Sequence, residues 1–556
     1  VKLTDTSDLW WKSAVVYCLD VETFLDWNDD GVGDFSGLAH RLDYLAELGV
    51  TCLWLMPFYP SPDRDDGYDV TDFYSVDPRL GHLGDFVEAV RTAKDRGMRV
   101  IADLVLNHTS DQHPWFLDSR SAKDSQYRDF YVWHPDPPDK DRPTVFPGEE
   151  ATAWEYDEQT GEYYLHNFYR HQPDLNLANP LVREEVAKIM GFWMQLGLSG
   201  FRVDAVPFIL ESFPEGDGAE AHAYLREVRD FLTRRQGEGI LLGEVNLPYD
   251  EQERYFGGAE ADELTMQFDF IGMQNLYLSL ARGDAAPLAE ALAQRPHPAR
   301  EAQWANFVRN HDELTLDKLS ESEKQEVFDA FGPEERMRVY DRGLVRRLPP
   351  ILDSDPRRIR MVYSLLFSLP GTPVLFYGEE IGMGENLELG GRAAVRTPMQ
   401  WSNEPSGGFS NADAAELTSR TPSGDYGPDR VNVMQQRHDR DSLLNFMKLL
   451  IARYRASSEI GWSEVHLLEQ LDAADTAVFA HELRSEEGRM LAFHNFADEP
   501  RTVRVRLDDV GSDHVLADLL QEGESRVDGG GVLEVELDGY GHRWVRVLEP
   551  NTKRLR

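Results

Sequence analysis

Cysteine is all but absent. Only Cys18 and Cys52 occur, both inside apolar, strand-like runs, which excludes a disulfide framework and a thiolate metal cluster and fits buried reduced thiols. No stretch offers about 18 consecutive apolar residues, so no membrane span is expected. Residues 1–12 also lack the charged start and apolar core of a secretory leader. These absences lead to the expectation of a cytoplasmic protein without a membrane partner. Basic residues are scarce as well: 57 Lys and Arg against 99 Asp and Glu leave a formal charge of −42, which repels phosphate backbones and excludes nucleic acid as the natural partner. There is no Gly-rich phosphate fingerprint after the first strand, no internal repeat, and no His-x-x-x-His pair of the kind that binds zinc.

What is present is a long, well-packed chain. Its 556 residues are 41% hydrophobic and 11% aromatic, enough for one large domain with one or two smaller modules. β-type apolar runs alternate with helix-period segments, a pattern of parallel strands covered by helices. Strands are expected at 14–24, 51–57, 99–106, 200–206, 240–245, 265–270, 305–309 and 373–377, and early helices at 37–48 and 85–96. Eight such units predict a closed (β/α)8 barrel.

Two interruptions break the rhythm. Residues 108–178, rich in Pro, Asp, Tyr and Trp, are too long for an ordinary loop and predict an inserted domain over the barrel mouth. Residues 311–353 form a charged, helix-like insertion, either a lid or a packed excursion. From 458 to 556 short alternating strands punctuated by Gly and Asp predict an antiparallel β-sandwich. The barrel then occupies 1–107 and 179–457.

Polar residues at the C-terminal ends of barrel strands converge on one mouth. The third strand reads Asp103-Leu104-Val105-Leu106-Asn107-His108, the fourth Gly200-Phe201-Arg202-Val203-Asp204, the fifth ends in Gly243-Glu244, and the seventh in Arg309-Asn310-His311-Asp312. Cleaving a glycosidic bond needs a proton for the leaving oxygen and negative charge beside the anomeric carbon, and two carboxyl groups supply both. In a retaining enzyme they stand about 5 to 5.5 Å apart, a spacing that neighbouring strand ends provide. Any one Asp or Glu alone is more often a cap or a surface charge; the joint pattern is what points to chemistry. Arg202 lies two residues before Asp204, on the same strand face, where it can keep that carboxylate ionised.

These four segments resemble the four signature regions of the α-amylase superfamily of glycoside hydrolases and transglycosylases, and the resemblance covers nearly the whole chain. It implies Asp204 as nucleophile, Glu244 as acid/base and Asp312 as a third carboxylate gripping the sugar. Arg202, His108 and His311 would be partners of the first subsite. Gln172-Pro173-Asp174-Leu175-Asn176 and Arg396-Thr397-Pro398-Met399-Gln400-Trp401 resemble motifs of the oligo-1,6-glucosidase and trehalose synthase branch. By that similarity Asp65 and Arg396 pair with each other behind the terminal glucose, with Gln172 nearby and Tyr68 stacked on the ring. Ala205 stands where relatives selective for α-1,6 bonds carry Val, which favours α-1,4 linkages.

Trp10-Trp11-Lys12, Asp111-Gln112-His113-Pro114-Trp115-Phe116, Asp129-Phe130-Tyr131-Val132-Trp133, Ala205-Val206-Pro207 and the Arg-rich segment 342–353 bring the trehalose synthase branch nearest. The function implied is conversion of maltose to trehalose through a covalent glucosyl-enzyme, with α-glucosidase activity as the runner-up. Glu22 in the first strand and Val245-Asn246-Leu247-Pro248 after Glu244 depart from that branch on the acceptor side, which leaves the acceptor open. A reading from another class, a non-catalytic relative similar to transporter heavy-subunit ectodomains, is disfavoured because all three acids are present.

Asp26, Asn28, Asp30 and Asp34 alternate around a Gly turn, and with the carbonyl of Val32 they present the oxygen donors that Ca2+ prefers. The loop resembles the calcium loop of the oligo-1,6-glucosidase branch. A second site, implied by similarity to trehalose synthases, would use Asn107, Asp174 and Glu211 with the carbonyls of Phe208 and Ile209. Either ion would be structural. No organic cofactor is expected, and a homo-oligomer is left open.

Overall fold

The computed structural model describes residues 9–137, 139–211, 213, 219–471, 476–486 and 488–550. The first eight residues, part of the segment examined above for a leader, and the last six lie outside that range.

Eight parallel strands close into a barrel: β1 (Val16–Leu19), β2 (Cys52–Leu55), β3 (Arg99–Leu104), β4 (Gly200–Val203), β5 (Ile240–Gly243), β6 (Met266–Phe268), β7 (Gln303–Phe307) and β8 (Thr372–Phe376). Each pairs with its predecessor, and β8 closes on β1 through Val16 opposite Val374. Their residues are almost wholly buried because a barrel strand has packed side chains on one face and helices on the other. That two-sided burial is why they appear in the sequence as continuous apolar runs.

The helices outside obey their own signals. α1 (Phe35–Leu48) begins at Asp34, whose side chain accepts from the Gly37 amide, and ends at Gly49 in the left-handed region with φ 100°. It buries Leu38, Leu42, Leu45 and Leu48, the stripe expected from the sequence. α2 (Leu83–Asp95) starts with the Asp85 carboxylate accepting from the His82 amide at 2.8 Å.

After β3 the chain leaves the barrel at Asn107 and returns near Asp174. The excursion holds a three-stranded antiparallel sheet of Trp133–His134, Glu162–Leu165 and Trp154–Asp157. Its two ends are tied by the Leu175 amide donating to the Asn107 carbonyl at 2.8 Å. The segment after β7 folds into a small sheet of Leu314–Thr315, Gly343–Leu344 and Arg338–Val339 and the helix Glu321–Phe331. The two excursions meet: the Tyr169 and Tyr340 hydroxyls lie 2.9 Å apart, and the Phe146 ring packs on Tyr340 at 4.6 Å. The segment after β7 therefore lies against loops of the inserted segment.

At the C-terminus a six-stranded antiparallel sheet faces a two-stranded antiparallel sheet of Arg501–Arg506 and Val532–Leu537. Val478, Phe493, Val503 and Val535 share the core between them, the sandwich packing predicted from period-two alternation.

Candidate active site

Four strand ends deliver the polar residues. Asp204 follows β4 directly, Glu244 follows β5 directly, Asp312 lies five residues past β7, and Asp103 sits within β3. Asp65, Tyr68, His108, Asp204, Glu244 and Asp312 line one cavity of about 260 Å3. That volume is at the small end for ligand clefts and suits a short saccharide.

Arg202 is the hub. It is 1% exposed; Nη1 donates to Asp103 and Asp204, and Nη2 to Glu244 Oε2 at 2.7 Å. Asp103 is braced from behind by the Trp54 indole N–H at 2.7 Å. The amide of Ala205 donates to Glu244 Oε2 at 3.2 Å, and this residue sits in the left-handed region with φ 47°. An alanine there is strained, and the turn aims the amide that follows the Asp204 peptide at the Glu244 carboxyl.

Burial pushes the Glu244 carboxyl up to about 7, with Arg202 opposing and Asp204 and Asp312 adding to the rise. Burial likewise raises Asp204, to about 6, with Arg202 holding it back. Asp312 goes the other way. Burial alone would raise it, but the guanidiniums of Arg392 and Arg396 outweigh that and hold it well below the usual carboxylate range. The three acids thus separate into a group that keeps its proton longest, one that ionises earlier, and one fixed as an anion, the separation expected when two carboxyls take different roles.

His311 Nε2 lies 2.7 Å from the Tyr68 hydroxyl and 3.4 Å from Asp312, and its ring stacks parallel to that of Tyr68. The Nε2 atom of His108 is buried without a partner among the described residues, as a group reserved for a sugar hydroxyl would be. Burial lowers both imidazoles, so they act as neutral hydrogen-bonding groups.

One expected pairing is not found. Arg396 does not bond to Asp65; its Nη1 pairs with Asp66 at 2.6 Å, its Nη2 with Asp312 at 2.8 Å, and its Nε with the His311 carbonyl at 2.8 Å. Asp65 instead accepts from Gln172 Nε2 at 2.7 Å. The turn there places Asp66 at φ 49°, which sends the two adjacent carboxylates in different directions.

Sequence reasoning missed Arg392 and Glu313, and named Arg342 only as the start of the Arg-rich segment, without a role in the site. Arg392 pairs with Asp312 at 2.9 Å and Glu313 at 2.8 Å, and Arg342 clasps the same Glu313 at 2.6 Å. The available signals were an acid beside Asp312 and an Arg four residues before Arg396. Asn246, Asp317 and Lys318 also line the cavity.

The metal residues fall into two places. In the loop 26–34 the donor chemistry suits a hard cation, but the oxygens accept the loop's own amides. Asp26 takes the Asp29 amide at 2.7 Å and that of Gly31 at 2.8 Å, Asp34 takes those of Trp27 and Gly37, and Asp30 takes Val32 at 3.0 Å. At the second place Asn107 donates to Asp174 at 3.1 Å. Glu211, which follows Phe208 and Ile209 on the same short helix, is held by Arg142. A guanidinium therefore stands on the carboxylate meant for the second ion, and these residues as arranged do not fit it. Among the described residues no group of three or more His, Cys, Asp or Glu side chains is placed to hold a metal, and no helix is long and apolar enough to cross a membrane.

Residues 20–327 and 346–461 match the family described as alpha amylase, catalytic domain, and residues 488–546 match the sucrose hydrolase-like C-terminal domain. Among curated proteins, a trehalose synthase/amylase of Mycolicibacterium smegmatis is 38% identical over 99% of this chain and 94% of its own length. A trehalose synthase of Pimelobacter sp. is also 38% identical, over 98% and 96%. Among solved structures, a trehalulose synthase, MutB, superposes with a TM-score of 0.76 at 26% identity, covering 97% of this chain and 100% of that one.

Proposed function

The chain belongs to the α-amylase family of glycoside-processing enzymes, and we propose that within it the protein transfers α-glucosyl groups between small sugars, turning maltose into trehalose with retention at the anomeric carbon. The observation that carries this is the shared guanidinium: Arg202 joins Asp204 and Glu244 in one cavity small enough to favour a disaccharide. Relatives named trehalose synthase over nearly the full length support the choice of reaction.

In the proposed cycle an Asp204 oxygen attacks C1 of the terminal glucose while Glu244 gives its proton to the glycosidic oxygen, and free glucose leaves. Esterification removes the Asp204 charge. Arg202 then has one carboxylate fewer to serve and Glu244 loses a repelling neighbour, so the Glu244 carboxyl falls from about 7 and is ready to accept a proton. The released glucose turns, its anomeric hydroxyl attacks C1, the proton passes to Glu244, and the ester electrons return to Asp204. The site keeps water out through the meeting of the two excursions at Tyr169, Tyr340 and Phe146.

At the closed end, Asp312 and Arg396 hold the terminal sugar, with Asp65 and Gln172 beside them, Tyr68 against the ring, and His108 and His311 on its hydroxyls. Hydrolysis, an α-glucosidase outcome, is the same intermediate meeting water. The name of the Mycolicibacterium relative, which pairs synthase with amylase, favours keeping it as the second reading.

No organic cofactor is called for by the family chemistry. A Ca2+ ion at the loop 26–34, held by side chains of Asp26, Asn28, Asp30 and Asp34 with the Val32 carbonyl, would brace that loop and take no part in the reaction. Two buried free thiols, Cys18 and Cys52, support a reducing compartment such as the cytoplasm.

Incubation with maltose and identification of every product is the test. Trehalose should accumulate alongside a smaller amount of glucose. Glucose alone at all times leaves the hydrolase reading in its place, and inverted products end both.

A further inference from the structure

A second cavity lies at the other end of the barrel. Its volume is about 270 Å3, and it sits under the N-terminal ends of the strands. Lys12 precedes β1, Gln303 opens β7, Pro370 precedes β8, and residues 461–465 lead into the C-terminal sheet; all of them line it. Asp204 and Glu244, at the C-terminal ends of β4 and β5, take no part in it.

A buried cation stands in the wall. Lys12 is 6% exposed, and its Nζ donates to the Ala302 carbonyl at 2.7 Å and to Gln303 Oε1 at 3.4 Å. Both acceptors are neutral, and no carboxylate meets this ammonium among the described residues. Of its three N–H donors one is left over. Burial pushes the ammonium down to about 8, and the charge of Arg300 adds to the fall. A lysine this deeply buried ordinarily has an anion beside it, because an uncompensated charge is costly to take out of water.

The surroundings are built, not slack. The Gly461 backbone abuts the Lys12 carbonyl so closely that a Cβ there would clash, and Gln303 Nε2 donates to the Gly461 carbonyl at 3.1 Å. The same amide thereby turns its oxygen toward Lys12. Trp462 gathers two cations: Lys12 Nζ and the Arg300 guanidinium each lie 5.5 Å from its ring centre. Ser463 Oγ, also in the wall, is buried without a hydrogen bond among the described residues. Arg295 lines the space too, but its charge is spent on Asp269 at 2.9 Å. The acid among the lining residues, Glu464, is exposed and stands 3.7 Å from His297. In a chain of formal charge −42, an excess of cations around one cavity is a local feature that composition does not explain.

We propose that this cavity binds a small molecule through a phosphate group, with Lys12 and Arg300 as its cationic contacts and Ser463 Oγ as a hydrogen-bond donor. A neutral sugar would leave Lys12 uncompensated. A phosphate carries close to two negative charges and offers three oxygens, enough to meet donors arriving from three separate segments of the chain. The remaining volume takes a monosaccharide attached to it. Because residues 461–465 join the barrel to the C-terminal sheet, an occupant ties those two parts together.

The experiment is isothermal titration calorimetry of the full chain with inorganic phosphate and with glucose 6-phosphate, and with glucose as the control for binding near Asp204 and Glu244. At least one of the two anions should bind wild-type protein at millimolar concentration or below, one per chain. Binding of glucose 6-phosphate about tenfold tighter than phosphate assigns the site to a phosphorylated sugar; equal affinity assigns it to the free anion. Lys12→Met should abolish this binding and Arg300→Ala should weaken it about tenfold, the worth of one hydrogen bond to a charged group. Thermal unfolding gives a second readout. Phosphate raises Tm weakly in any protein by exclusion from its surface, whereas the rise from a bound anion saturates and should be missing in Lys12→Met. Affinities and Tm shifts that are the same in wild type and both variants overturn the proposal, as does the absence of heat with both anions. Should Lys12→Met not fold, Arg300→Ala, a change at an exposed residue, decides alone.

Discussion

The guanidinium of Arg202 stands 2.7 Å from Glu244 Oε2 and serves Asp204 with its other terminal nitrogen, so one buried cation sets the protonation of both groups proposed to do the chemistry. Its strength is divided between them and Asp103. Neutralising any one carboxylate strengthens its hold on the other two.

A narrow pH optimum follows from this division. The proposed first step needs Asp204 ionised and Glu244 protonated. Activity is lost as pH falls through about 6, where Asp204 takes up its proton, and again as pH rises through about 7, where Glu244 gives its proton up. The plot of kcat/KM against pH should be a bell whose two limbs lie close together, reporting the coupled pair rather than either group alone. A flat plateau between pH 5 and 9 would contradict the assignment.

Glu244→Gln separates acid help from fold. With maltose the leaving group is a poor one, and loss of the proton donor should cost about 10^2 to 10^4 in kcat/KM. With 4-nitrophenyl α-glucoside the leaving group needs little protonation, so formation of the intermediate should suffer far less and its breakdown should become limiting. A burst of nitrophenol followed by slow turnover is the expected trace; equal losses on both donors would argue against Glu244 as the acid.

Arg202→Met tests the hub. Removing a cation that is 1% exposed leaves three carboxyls facing one another and should destabilise the fold by about 3–5 kcal/mol, read as a drop in Tm at pH 7. The loss should shrink at lower pH as the carboxyls take up protons. Arg392→Ala probes the other end of the cavity, where Asp312 would keep only Arg396 as a close cationic partner; its effect should be mainly a raised KM for maltose.

The barrel was legible because each of its strands is buried on both faces and stops where a polar residue must reach the mouth. That gives an apolar run ending in Asp204, Glu244 or the Asn310–Asp312 segment. Local signals also carried α1, whose cap at Asp34 and stop at Gly49 are both readable. Legibility failed where position depends on long loops. The sequence places Asp65 and Asp66 side by side and cannot say which one a residue 330 positions away will choose; the φ of 49° at Asp66 decides it. The bond from Asn246 to Asp317 joins residues 71 apart and has no local signature. Asp34 was read as an ion ligand and is found as a helix cap, two roles that draw on the same oxygens.

Calcium gives a direct check on the loop 26–34. For an ion to bind, Asp26 and Asp30 would have to exchange amide partners for the cation, so binding should raise Tm in the wild-type protein and a chelator should lower it back. Asp30→Asn should abolish the response without lowering the metal-free Tm, because Asp30 is an exposed residue. A Tm insensitive to added Ca2+ would mean that the loop is closed by its own amides alone.

The seam between barrel and C-terminal sheet carries an acid sensitivity of its own. His481, His494 and His542 stack in a ladder, with ring centroids 6.2 Å and 6.5 Å apart, against the helix Pro356–Ser368. Ser364 Oγ meets His494 at 3.0 Å, and His481 meets the Ser368 carbonyl at 2.9 Å. Burial lowers His481 and His542 from 6.5 to about 4 and lowers His494 as well, with Arg295 adding to the effect at His481, Arg360 adding to it and Asp518 opposing it at His542. All three are thus neutral in the folded protein and protonated when exposed below pH 6.5. The sign follows: the docked seam holds its full stability above that value and loses it as pH falls toward 4. Trp544, buried beside Ser364 at 3.0 Å, should report the loss as a red-shifted fluorescence between pH 6 and 4. Replacing His494 with Gln, which cannot take up a proton, should move that transition to lower pH; a transition that stays in place would assign the acid sensitivity to the carboxylates instead.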